Sequence, residues 1–132
     1  SSASVLRDMI RAVRPLLVSR RSLASRVITV SDEASYKKLC SAPDQLVVTN
    51  FTATWCGPCK AAAPVFDEMS EKHDDVVFCK IDIDDEALQD VTVDYGIRAV
   101  PTYTFLKNGE QVAPAVQGAN MPAIADVLSA SS

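Results

Sequence analysis

Hydrophobic positions along the chain fall into short β-branched runs separated by stretches with helical spacing. Arg26-Val27-Ile28-Thr29-Val30 is the first such run and predicts a strand. Ser31 suits an N-cap, with Asp32 and Glu33 in the first turn where the helix dipole favours acids, and that helix runs to about Cys40. Pro43-Asp44 reads as a turn. Leu46 to Thr52 is nearly continuous and β-branched, the pattern of a strand covered on both faces. A helix follows from about Cys59 to Lys72, with an interruption expected at Pro64. Val76 to Ile81 is a third strand, and an acidic loop from Asp82 to Glu86 leads into a helix ending at about Asp94. Thr102 to Lys107 is a fourth strand, Asn108-Gly109 is a hairpin signal, and Gln111 to Val116 returns antiparallel. Met121 to Leu128 forms a last amphipathic helix. The order β-α-β-α-β-α-β-β-α predicts an α/β fold, a central mixed β-sheet with helices on both faces.

Length and composition narrow the function. A chain of 132 residues allows a single domain. No apolar run approaches the roughly 18–20 residues of a membrane span, so stable membrane association is not expected. A net charge of −4 argues against a nucleic-acid binder. That charge is divided unevenly. Residues 1–31 carry six arginines and one aspartate, a net +5, whereas seven basic and sixteen acidic residues give the remainder −9. In the basic segment Leu6, Ile10, Val13 and Leu17 recur at helical spacing, beside a stripe of Arg7, Arg11 and Arg14. An Arg-rich, Ser-rich, acid-poor and amphipathic leader has the composition of a mitochondrial transit peptide. Arg21-Ser22-Leu23-Ala24-Ser25 resembles a matrix-protease site, and a cut after Leu23 would leave residues 24–132 as the domain. The alternatives for residues 1–23 are a flexible or docked N-terminal arm. A plastid or cytoplasmic location stays open beside the mitochondrial matrix.

The residues that carry chemistry are Trp55-Cys56-Gly57-Pro58-Cys59-Lys60, which follow the buried strand and open a helix. A cysteine at a helix N-terminus faces unpaired backbone N–H groups and the positive end of the dipole. That lowers its pKa and supplies thiolate, the reactive species. Cys56 at that terminus is expected to be the exposed attacking thiolate and Cys59, one turn in, the resolving thiol. Half a zinc site would need a second ligand pair. Only Cys40, Cys79 and His73 remain and their spacing does not match, so no metal site is expected. Cys79 lies mid-strand and reads as an inert buried hydrophobe. Cys40 ends a helix, where exposure would open it to an intermolecular disulfide or a regulatory modification. The acidic stretch Asp82, Asp84, Asp85 and Glu86 lacks the pattern of a calcium loop and reads as solvated.

Over about residues 26–129 the chain resembles the thioredoxin family. Beyond the paired cysteines, Pro64 stands where that family carries a kink proline, and Tyr95 to Thr102 looks like the segment that ends in a cis-proline. Gly109 and Gly118 fall at the hairpin and late-strand glycines of the family. The resemblance implies that the Val100–Pro101 bond is cis and lies against a reversible Cys56–Cys59 disulfide. It implies that the Val100 backbone pairs with an extended substrate, as in strand addition. Trp55, Gly57, Pro58, Val100, Pro101 and Gly118 would form a flat apolar docking patch. It further implies a monomeric protein-disulfide reductase with no bound cofactor. A thioredoxin reductase would recycle it, so NADPH serves indirectly, and disulfide-containing proteins such as peroxiredoxins would be its clients. Gly57-Pro58 between the cysteines resembles the reducing members. The rival readings are a disulfide oxidase or isomerase, and a non-catalytic redox-dependent binding module.

One departure stands out. Most thioredoxins carry a buried aspartate six residues before the first cysteine, and here that position is Asn50. A buried carboxylate can take the proton of the resolving thiol, which an amide cannot. Lys80 matches the lysine that usually neighbours that aspartate and loses its partner. Slower but not abolished resolution by Cys59 is the expectation.

Overall fold

A computed structural model describes residues 25–131; the expected transit segment, residues 1–23, lies outside them. The described chain forms β1 (Ile28–Thr29), α1 (Glu33–Cys40), β2 (Leu46–Thr52), α2 (Gly57–Lys72), β3 (Val77–Asp82), a 3-10 turn (Glu86–Leu88), α3 (Gln89–Asp94), β4 (Thr102–Lys107), β5 (Glu110–Gln117) and α4 (Met121–Ser131). The strands make one sheet in the order β1-β3-β2-β4-β5. β3 pairs in parallel with β1 and β2, and β4 pairs antiparallel with β2 and β5. This is the mixed α/β sheet that the alternation of patterns predicts.

β2 lies between β3 and β4, and every residue in it except Thr52 is buried. Side chains alternate across a strand, so its two faces feed two cores. Val47 and Phe51, with Cys79, Ile81 and Leu106, meet Tyr36 and Cys40 of α1 and Leu88 and Val91 on the α3 side. Leu46 and Val48, with Phe78, Tyr103 and Phe105, meet Phe66 of α2 and Ile124 and Leu128 of α4. Layers on both faces explain why this strand shows no polar alternation.

Several expected boundaries shift, each for a physical reason. The first strand shrinks to two residues because Arg26 is engaged elsewhere. Its amide donates to Ser70 Oγ at 3.0 Å, and its guanidinium donates to the carbonyls of Ser70 and Asp74 at 3.3 and 3.2 Å. Arg26 thus caps the C-terminal end of α2, where carbonyls lack intrahelical donors. The N-cap of α1 is Asp32 rather than Ser31, because Asp32 Oδ1 accepts the Ser35 amide at 2.7 Å. That bond also holds the Asp32 carboxyl below its ordinary pKa. α2 is one helix through Pro64, not an interrupted one. Pro64 lacks only its own amide, and Ala62 and Phe66 on either side stay anchored in the core.

The two cysteines outside the predicted redox pair are both buried and free. Tyr36 Oη lies 2.8 Å from Thr49 Oγ1, which lies 3.3 Å from Cys79 Sγ, a short polar row inside the first core. Burial pushes the Cys79 thiol up to about 12. Cys40 is only 8% exposed, which disfavours the intermolecular disulfide or modification that exposure would open, and burial raises its pKa as well. Tyr36 and Cys40 are four residues apart on one helical face, so the contact that buries the tyrosine buries the cysteine.

Burial raises the pKa of Tyr36, Tyr95 and Tyr103, the last to about 12. In the unfolded chain tyrosine and cysteine release protons from about pH 8.5–10. Between those values and the folded ones the native state binds more protons, so stability falls as pH rises. Denaturant midpoints are expected to be flat from pH 7 to about 8.5 and to decline from about pH 9 upward. Tyr36→Phe should cost about 1 kcal/mol at pH 7 through its lost hydrogen bond and should flatten the alkaline decline. An unchanged slope in urea titrations of that variant would contradict the assignment.

Candidate active site

β2 ends beside the first turn of α2, and the link between them places the cysteines. The Cys56 amide donates to the Ala53 carbonyl at 3.2 Å, which closes a tight turn around Thr54 and Trp55. Cys56 is the N-cap of α2, with extended backbone at φ −86° and ψ 112°. Its Sγ accepts the Cys59 backbone N–H at 3.2 Å. The sulfur therefore occupies the place of a capping oxygen, among amides with no intrahelical acceptor and at the positive end of the dipole. Negative charge on that sulfur is favoured there. Pro58 fits the first turn because its missing amide would have had no helical partner.

Cys56 and Cys59 form a disulfide with their Cα atoms 5.3 Å apart. The expected exposure of Cys56 is not met: it is 4% exposed and Cys59 3%. Cys56 Sγ lies 3.6 Å from the Val100 carbonyl oxygen, and Ala53, Ile83 and Val100 pack around both cysteines. What separates the two sulfurs is the capping position of Cys56, not its accessibility.

The Val100–Pro101 bond is cis. Two hydrogen bonds brace that loop: the Gly118 amide donates to the Pro101 carbonyl at 2.8 Å, and Thr102 Oγ1 donates to the Ala99 carbonyl at 2.7 Å. Gly118 adopts φ +83°, a left-handed conformation open to glycine. Trp55, Gly57 and Pro58 are exposed, while Val100 and Gly118 are half-buried. Pro101 is buried, so it underlies the expected docking patch instead of facing it. Trp55 is 66% exposed, and a Cβ on Gly57 would meet nothing within 4 Å. The surface beside Cys56 is thus open and apolar, the character of an interaction site.

The acidic loop does more than meet solvent. Asp84 Oδ2 accepts the indole N–H of Trp55 at 2.8 Å and fixes the exposed ring. Asp82 Oδ1 and Asp85 Oδ1 accept the amides of Asp84 and Ala87. Among the described residues no group of histidine, cysteine, aspartate or glutamate is arranged to hold a metal. Ile83, Asp84 and Thr102 are site residues that the motif does not reveal. Four acids lie within five positions, and only the fold selects the one facing Trp55.

Asn50 is buried on β2, with Lys80 and Tyr103 as its register neighbours on β3 and β4. Asn50 Oδ1 accepts no hydrogen bond from any described group. Lys80 is exposed, so these two expected support residues are adjacent in the sheet without bonding.

Residues 26–130 match the thioredoxin family. Thioredoxin H9 of Arabidopsis thaliana is 51% identical over 78 residues, which are 59% of this chain and 54% of that relative, so the match spans about half of its length. The structure is similar to thioredoxin NaTrxh of Nicotiana alata, with a TM-score of 0.73, 37% identity, and 79% of this chain and 90% of that one covered. It is also similar to a chain from the structural study of thiol resolution in yeast mitochondrial 1-Cys peroxiredoxin via glutathione/thioredoxin systems. There the TM-score is 0.72 at 26% identity, covering 80% of this chain and 98% of that one. With its Cys56–Cys59 couple at the cap of α2, facing the cis Val100–Pro101 bond, the chain belongs to the thioredoxin family of thiol-disulfide oxidoreductases.

Proposed function

We propose that this oxidoreductase reduces disulfides of client proteins of the peroxiredoxin type, is recharged by a flavoprotein thioredoxin reductase, and works in the mitochondrial matrix once residues 1–23 are removed. The observation that carries the reductase step is the Cys59 amide donating to Cys56 Sγ at 3.2 Å. It favours a thiolate at the sulfur that must attack.

The steps balance as thiol exchange. Cys56 thiolate attacks one client sulfur, and the client disulfide breaks to release a thiolate on the other. Cys59 then loses its proton and attacks Cys56 Sγ, which cleaves the mixed disulfide. The client leaves with two thiols, two electrons richer, and the chain keeps the Cys56–Cys59 disulfide. The reductase returns two electrons drawn from NADPH. Trp55 and the open ground above Gly57 receive the client surface, and the Val100 backbone can pair with an extended client segment. Gly57-Pro58 between the cysteines favours the reducing direction over an oxidase or isomerase.

The client class is supported by the peroxiredoxin work to which one structural relative belongs. The matrix location is supported by composition alone, the arginine-rich and acid-poor stretch ahead of the domain.

Insulin-disulfide reduction with NADPH and a thioredoxin reductase is the direct test. Turnover is expected for the parent and none above background for Cys56→Ser. Turnover with dithiothreitol but not with the reductase would reassign the electron donor, and none with either would favour a binding module. Asn50→Asp should raise the reduction rate several-fold between about pH 6 and 8, where a buried carboxylate with a raised pKa can take the Cys59 proton; an equal rate across that range would reject the role given to this position. Incubation of the full chain with energised mitochondria is expected to give a protected product starting at Ala24. An uncut chain left outside the organelle would reject the targeting reading.

A further inference from the structure

Asn50 presents a buried acceptor without a donor. It is 4% exposed, and its Oδ1 and Thr104 Oγ1 are the buried side-chain atoms among the described residues that lack a partner. The two lie on opposite faces of the sheet. Thr104 pairs in register with Thr49, whose hydroxyl meets Tyr36 of α1. Asn50 shares its face with Leu46 and Val48, which pack under α2 and α4.

The path of the chain tells which part of α2 covers Asn50. β2 runs toward Cys56 and α2 runs back over the sheet, burying a stripe of Cys59, Ala62, Phe66 and Ser70. Val48 belongs to the same cluster as Phe66. Asn50 lies about 6.8 Å further along the strand, toward the helix start. Of the buried stripe, Cys59 and Ala62 are the members nearer the helix start, and alanine brings no donor. Neither sheet neighbour supplies one. Lys80 is exposed, and the Tyr103 hydroxyl donates to Met121 Sδ at 3.9 Å. Of these four side chains Cys59 is the one left to donate, and in the disulfide it carries no proton.

We propose that Asn50 Oδ1 accepts the S–H of Cys59 once the disulfide is reduced, and so acts as a redox-dependent brake on the resolving thiol. The inference rests on the reductase reading and concerns its second step. On reduction two electrons enter, the S–S bond breaks, and Cys59 takes up one proton from solvent. That new S–H finds an acceptor already in place. The oxidised state leaves the acceptor unsatisfied and the reduced state satisfies it, so Asn50 stabilises the dithiol relative to the disulfide. An amide accepts the hydrogen bond without taking the proton, which keeps Cys59 in its neutral form. The residue therefore makes the couple less reducing and slows the attack of Cys59 on the mixed disulfide.

Asn50→Leu, with the same number and branching of side-chain heavy atoms and without an acceptor, tests this. Equilibration with glutathione is expected to show the variant shifted roughly tenfold toward the disulfide, ~30 mV more negative than the parent. In the reduced Cys56→Ser background, the Cys59 S–H infrared band, assigned by difference against Cys59→Ser, is expected to rise in frequency when Asn50 becomes leucine. A third measurement needs no substitution at Asn50. The side-chain carbonyl 13C resonance of Asn50 should move when the parent is reduced, with that of exposed Asn108 as the unmoved control. A potential within about twofold of the parent's equilibrium constant, with an unmoved band and an unmoved resonance, overturns the proposal and assigns the acceptor to solvent. Insulin turnover of the parent is read separately, so a dead reductase and an idle Asn50 give different results.

Discussion

The reactivity of this fold depends on the amides that the first turn of a helix cannot use. One of them, on Cys59, points at Cys56 Sγ. For the sulfur to stay there, the strand before it must end at a fixed place and the helix after it must not slide. β2 meets the first demand by being paired on both sides and buried on both faces. α2 meets the second by packing Phe66 against Phe78 and Tyr103, with ring centroids 5.3 and 5.4 Å apart. Arg26 holds its far end through the carbonyls of Ser70 and Asp74. The chemistry is local, but the position of its sulfur is a property of the whole sheet.

A second constraint comes from the opposite side of the site. The turn at Val100 and Pro101 brings a carbonyl to within 3.6 Å of Cys56 Sγ, and bonds from Gly118 and Thr102 hold it. This covers a sulfur that a bare helix terminus would expose. The covering limits the directions of approach, and sulfur exchange needs a direction, since the attacking and leaving sulfurs must fall in line with the one attacked. Trp55, fixed by Asp84, and the empty space above Gly57 border the open side. Burial of the reacting atoms and openness of the surface beside them therefore belong to one design.

The order of elements was legible because strands and helices write different periods into hydrophobic positions, and the cysteine pair was legible because it sits where those periods change. Contacts between distant parts of the chain were not legible. Arg26 carries a strand-like neighbourhood, yet its guanidinium bonds to residues 44 and 48 positions away. Nothing near Asp84 in sequence distinguishes it from Asp82 or Asp85, because Trp55 reaches it only through the fold. The resemblance to the family located Pro101 by its motif and assigned it to the surface. The structure puts it beneath, with its carbonyl tied to the Gly118 amide. The burial of Cys40 was hidden for a different reason: its spacing from Tyr36 was visible, but only the packing of α1 on the sheet shows that this face is the inner one.

The four cysteines show how one functional group takes opposite characters within a single domain. Cys56 caps the start of α2, where unpaired amides and the dipole favour its anion. Cys40 closes the end of α1, where the dipole is reversed and burial adds to the same effect, so its proton stays on. Cys79 lies within the sheet, beside Thr49, in a site that excludes charge altogether. Among its four cysteines the chain thus confines exchange to the Cys56–Cys59 pair, with only Cys56 set where its anion is favoured. Selectivity of this kind needs no recognition element of its own. It follows from which end of a helix a cysteine occupies and from how much of the core lies above it.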